Sequence, residues 1–108
     1  MNSVNKVQIA GNLGKDPEIR EFQGGNKLAR LAVATNEEVF LNGEKKTVTS
    51  WHNVTVWGKL AEKAESELKK GSFVSIDGKL RNNNYTDKEG KKQYVVDIVG
   101  TDMSIGRD

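Results

Sequence analysis

A chain of 108 residues with no cysteine and a formal net charge of +2 has room for one modest core and offers no thiol chemistry. Disulfides, cysteine-ligated zinc and a catalytic thiol are excluded. Any hold on anions must come from local clusters among the 17 Lys and Arg, because the global charge is small. No apolar run is long enough to span a bilayer, and residues 1–6 are polar without a signal pattern, so a cytoplasmic location is the default expectation.

Residues 5–13 alternate, Val7 and Ile9 against Lys6 and Gln8, which predicts a first strand. Gly14-Lys15-Asp16-Pro17 reads as a turn. A phosphate-cradling loop would need more glycines and a Lys-Ser or Lys-Thr pair opening a helix. Pro17 and a short strand candidate over residues 18–22 follow instead, so that reading is rejected. After the turn Gln23-Gly24-Gly25-Asn26, a second strand is expected over residues 27–35. Leu31 and Val33 fall on one side of it and Arg30 on the other. Residues 36–46 form a polar excursion around Asn42-Gly43, with Phe40 near its tip and Lys45 and Lys46 on the return. Asn-Gly between two strand patterns predicts a hairpin.

The returning strand, residues 47–57, is rich in β-branched and aromatic residues and is bounded by Gly58. One face carries His52, Val54 and Val56; the other carries Trp51, Asn53, Thr55 and Trp57. The first is the better core face, because the valines have no polar atoms to satisfy. Both tryptophans are thereby placed on an otherwise polar face. Two explanations stay open from the strand alone: a face that stacks on nucleobases, or one covered by another part of the chain or another subunit. His52, the single histidine, falls on the core face and reads as a hydrogen-bonded structural residue more readily than as a general base.

Residues 59–70 change period. Leu60, Ala61, Ala64 and Leu68 recur at helical spacing, Glu65 and Lys69 form an i,i+4 pair, Lys69 and Lys70 suit the C-terminal dipole, and Gly71 is the expected stop. The acidic face with Glu62, Glu65 and Glu67 is a poor nucleic-acid surface. Period two returns over residues 72–81, with Val74, Ile76 and Leu80 inward and Phe73 and Lys79 outward. A second polar excursion, residues 82–92, contains the isolated aromatic Tyr85 and the cations Lys91 and Lys92. The last strand covers residues 93–99, with Tyr94, Val96 and Ile98 inward, and Met103 and Ile105 as a continuation past Gly100.

Three strands, a helix and two strands give a mostly β class with one helix. This is the order of the OB-fold, a five-stranded, partly open Greek-key barrel with its helix between strands 3 and 4. Residues 1–108 are expected to form a single such domain. OB barrels present oligonucleotides on one sheet face and in long loops. That is where Trp51, Trp57, Phe40 and Tyr85 fall.

The segments Val4-Asn5-Lys6-Val7, Gly11-Asn12-Leu13-Gly14, Asp16-Pro17-Glu18, Ala34-Thr35, Trp51-His52, Gly58-Lys59-Leu60-Ala61-Glu62, Lys69-Lys70-Gly71-Ser72, Gly78-Lys79-Leu80-Arg81 and Tyr94 carry a resemblance. In this order and at these intervals, the chain resembles the bacterial single-stranded DNA-binding protein family along nearly its whole length. The resemblance implies a homotetramer, a dimer of dimers, around which DNA wraps. It implies a non-catalytic, cofactor-free and metal-free function in replication, recombination and repair, in the bacterial cytoplasm at the nucleoid. It places Trp51 as a base-stacking residue, Trp57 where phenylalanine is usual and Tyr85 where tryptophan is usual. Phe40 or Val39 falls where another tryptophan is common. Lys6, Lys59 and Arg81 match phosphate-contacting positions. The first strands of neighbouring subunits are expected to pair over residues 4–9, with Val4 and Ile9 at the ends.

Two departures follow from the same resemblance. Asn53, Asn82, Asn83 and Asn84 stand where basic residues are frequent, which predicts weaker binding and a flatter salt dependence unless Lys45, Lys46, Lys91 and Lys92 compensate. The sequence ends at Asp108 without the Gly- and Gln-rich linker and acidic tip of the family, so partners recruited by such a tail are not expected. An alternative within the same fold is a protein-interaction subunit of a primosome or replication complex. An enzyme would need something like Asp77 and Asp97 as paired metal-binding carboxylates, and both read more simply as ordinary strand residues.

Overall fold

The computed structural model describes residues 3–82 and 84–106; Asn83, one of the four asparagines above, lies outside them, as do Met1 and Asp108. The strands are β1 (Val7–Leu13), β2 (Glu18–Glu21), β3 (Lys27–Leu41), β4 (Glu44–Trp57), β5 (Phe73–Asn82), β6 (Tyr85–Thr86), β7 (Lys92–Gln93) and β8 (Val96–Ile105). One helix, α1 (Lys59–Glu67), lies between β4 and β5. The main sheet runs β1-β5-β8-β4-β3-β2, and β1 also pairs with β3, so five strands close on themselves while β2 hangs on the outer edge of β3. Every pairing among them is antiparallel except β4 with β8. This is a closed OB barrel.

Its interior is the alternate set predicted from period two. Leu31 and Val33 from β3, Val54 and Val56 from β4, Val74 and Ile76 from β5, and Ile98 and Met103 from β8 are all buried. β8 continues through Gly100, where a Cβ would run into Val56, and so delivers Met103 to the core. The helix covers the barrel with Ala61 and Ala64, small enough to let its backbone approach. It ends at Glu67, three residues short of the expectation. Leu68 turns extended and drops into the core, while the Lys69 N–H donates to Ser72 Oγ and the Lys70 N–H to Asp16 Oδ1. Glu65 does not serve Lys69; it holds Lys27 on β3 at 2.8 Å, and that carboxylate keeps the Lys27 ammonium above its usual pKa.

Both polar excursions are ordered by hydrogen bonds. The first is a β-ribbon: the β3–β4 ladder runs unbroken from Leu28↔Trp57 to Leu41↔Glu44. Asn42 and Gly43, with φ of 53° and 79°, close it by the two-residue turn their types favour. The second is the small β6–β7 hairpin. Leu80, Tyr94 and Val96, expected inward, are exposed. Val96 sits opposite Asn82 at the far end of the β5–β8 ladder, and Leu80, opposite the buried Ile98, lies at the edge where the core runs out. Tyr94 sits in the break between β7 and β8, where alternation no longer applies. His52 is half-buried and shares a 2.9 Å hydrogen bond with Thr35 Oγ1, the structural role expected of it.

Candidate nucleic-acid interface

Cross-strand register decides which side chains share the outer face of β3 and β4. The pairs Leu28↔Trp57, Arg30↔Thr55, Ala32↔Asn53 and Ala34↔Trp51 all project there. Alanines opposite Asn53 and Trp51 leave a trough. It opens into a groove of about 510 Å³, floored by Ala32, Asn53 and Thr55. Thr55 is buried although it lies on the outer face, because the groove walls rise around it. Trp57, Phe22, Lys15, Arg30, Arg81 at the end of β5 and Tyr85 on the hairpin line the groove as well. The groove is not uniformly basic, since Glu18 and Asp97 also line it.

Three of the predicted residues, Trp57, Arg81 and Tyr85, are thus brought together. Trp57 is 46% exposed and its indole lies in an offset stack on Phe22, with ring centroids 5.9 Å apart and planes at 24°. Trp51 lies outside the groove lining. It is six positions along the strand from Trp57, about 20 Å of backbone. Its ring rests against Gly14, where a Cβ would overlap the indole, and it is 62% exposed. Phe40 is on the same ribbon face farther out, opposite Lys45, and is exposed; Val39 is opposite Lys46 on the reverse face.

The remaining predicted cations are dispersed. Lys45 bonds Glu38 at 3.0 Å, so its charge is already partnered. Lys59 is the exposed first residue of α1. Lys6 precedes β1 beside Asn5, whose amide makes a double hydrogen bond to the backbone of Leu80. Lys91 and Lys92 are on the β6–β7 hairpin. That hairpin is tied by Asp87: Oδ1 accepts from the Glu89 and Lys91 N–H groups and Oδ2 from Gln93 Nε2. The Gln93 amide, helped by these backbone donors, holds the Asp87 carboxyl below its usual range.

Lys15, Phe22 and Arg30 were not singled out as site residues. Arg30 was legible, because alternation put it on the face opposite Leu31. Phe22 and Lys15 reach the groove through turns, whose direction period two does not give. Asp77 and Asp97 are not brought together: they oppose Asp102 and Arg81 at separate points on the β5–β8 ladder. Among the described residues no cluster of three or more His, Asp or Glu converges as a metal site.

Comparison with known proteins decides the family. The model of the "Single-strand binding protein family" matches residues 4–105. The chain belongs to that family. A relative, "Single-stranded DNA-binding protein 1" of Xylella fastidiosa, is 43% identical over 107 residues, covering 97% of this chain and 79% of the relative. Among solved structures, the "Plasmodium falciparum SSB complex with ssDNA" superposes with a TM-score of 0.90 at 25% identity, covering 99% of this chain and 98% of that one. The barrel topology and the family therefore agree along the chain.

Proposed function

We propose that this chain binds single-stranded DNA without sequence preference and protects it during replication, recombination and repair. The observation that carries this reading is the convergence of Trp57, Tyr85, Arg81 and Arg30 on one open groove of the barrel. Flat rings stack on any base, at about 1–3 kcal/mol each, and guanidinium groups neutralise phosphates, so neither interaction reads sequence. Trp51 and Phe40 extend the track along the ribbon, and Lys6, Lys59, Lys46, Lys91 and Lys92 supply outlying charge. The similarity to a bacterial relative named for single-stranded DNA binding, and to a structure solved with such DNA, supports the same ligand here. No reaction is assigned, since the family is one of non-enzymatic DNA-binding proteins.

Assembly is part of the proposal. β1 is laddered to β5 on one side but to β3 only at Asn12 and Leu13, which leaves the outer edge of residues 7–10 without a ladder partner among the described residues. Val4, just before it, is 88% exposed. An open edge with an apolar start favours pairing with the first strand of a second copy, and two such dimers give the homotetramer. The cytoplasmic nucleoid is the location this function requires; no helix of the described residues is long and apolar enough to cross a membrane.

The test is titration of a labelled oligothymidine at several salt concentrations, with duplex as competitor and light scattering of the free protein. Expected are saturable binding, little competition by duplex, affinity that falls with salt, and a tetramer mass. Absence of binding to bare strands, with saturable binding to a replication protein, would move the chain to the protein-interaction reading.

A further inference from the structure

The groove contains an aromatic residue that no matched family segment singled out. Phe22 directly follows β2 at the start of a tight turn, where its N–H donates to the Asn26 carbonyl at 2.7 Å and Gly24 and Gly25 take φ of 88° and 82°. The turn folds the ring back over the barrel instead of out into solvent. There it meets Trp57 in the offset stack described above, a geometry inside the favourable range for aromatic pairs. Each ring remains 46% exposed, and both line the groove. A buried pair would have closed over its own faces; this one keeps open surface on both members.

We infer that Phe22 is a further nucleobase-contacting residue, and that Phe22 and Trp57 act as one composite platform. The inference rests on the single-strand-binding reading above. Phe22 limits the swing of the indole and so lowers the ordering cost of stacking a base on it. Its own open face extends the platform toward the β2–β3 turn, where the Phe22 N–H donates to the Asn26 carbonyl. The DNA strand therefore leaves the groove across the β2–β3 turn as well as along the β3–β4 ribbon.

The experiment compares Phe22→Leu, Phe22→Tyr and Trp57→Ala on two ligands: an oligothymidine, and an abasic phosphodiester strand of equal length. Leucine keeps apolar bulk on the turn but removes the flat ring; tyrosine keeps the ring. Phe22→Leu should weaken oligothymidine binding about five-fold or more, the low end for loss of one stacking surface, and leave abasic-strand binding unchanged. Phe22→Tyr should bind as the parent does. Equal oligothymidine affinity for Phe22→Leu and the parent, with a loss in Trp57→Ala, would overturn the role of Phe22 and leave the groove reading standing. A loss in Phe22→Tyr as large as in Phe22→Leu, or an equal loss on the abasic strand, would also overturn it, because the ring would not be what matters. If Trp57→Ala were itself without effect, the groove reading would be the one to fail.

Discussion

The groove around Trp57 and the ribbon around Trp51 and Phe40 belong to the same two strands, yet their physics differs. In the groove, Trp57 is backed by Phe22 and shares one concave surface with Tyr85, Arg30 and Arg81. On the ribbon, Trp51 rests on a glycine, Phe40 stands 74% exposed, and Lys45 is already held by Glu38. Aromatic content alone, three rings in the groove and two on the ribbon, separates the two regions only slightly. Concavity and preorganisation rank the groove first, because a base entering it gives up less ordering free energy. The ribbon supplies length and the groove supplies affinity.

That ranking can be broken in order of expected effect. Trp57→Ala should cost about 1–3 kcal/mol of oligothymidine affinity, read by anisotropy of a labelled strand; an equal or larger cost in Trp51→Ala would reverse the comparison. Arg81→Ala should cost less affinity but lower the magnitude of the log–log salt slope by about 0.7, whereas Lys45→Ala should leave the slope nearly unchanged because Glu38 already answers its charge. Phe40→Ala should weaken long oligothymidines that reach the ribbon tip by less than about 1 kcal/mol and spare short ones. The smallest effect concerns the hairpin that carries Tyr85. Asp87 has a depressed folded pKa, so its contribution is complete above the ordinary carboxylate value and is lost as pH falls through the lowered one. The hairpin should stay ordered at neutral pH and loosen only below roughly pH 4, a change followed by amide exchange across β6 and β7.

Much of this molecule was legible before its coordinates. Period-two alternation located the buried valines of β4 and the indole face opposite them, and Gly58 marked the start of the helix. The ladder beyond the barrel was not legible. Residues 36–46 are polar, and a polar ribbon with no core beneath it has the composition of a loop; only its two-residue Asn-Gly turn hinted at continuity. Alternation also misled at Leu80 and Val96, since it reports which side a residue faces and not whether a core is present there. The helix end was set by long-range partners, Asp16 for the Lys70 N–H and Lys27 for Glu65, which no local pattern contains. The place of Phe22 is illegible for the same reason: it depends on a turn and on a ring 35 residues away.

The most direct measurement uses a protein in which Trp51 is replaced by phenylalanine, leaving Trp57 as the sole indole. Titration with oligothymidine should quench its emission saturably, with the same midpoint that strand anisotropy gives. Emission that stays constant while the strand binds would mean that no base reaches Trp57, and the groove would not be the binding site.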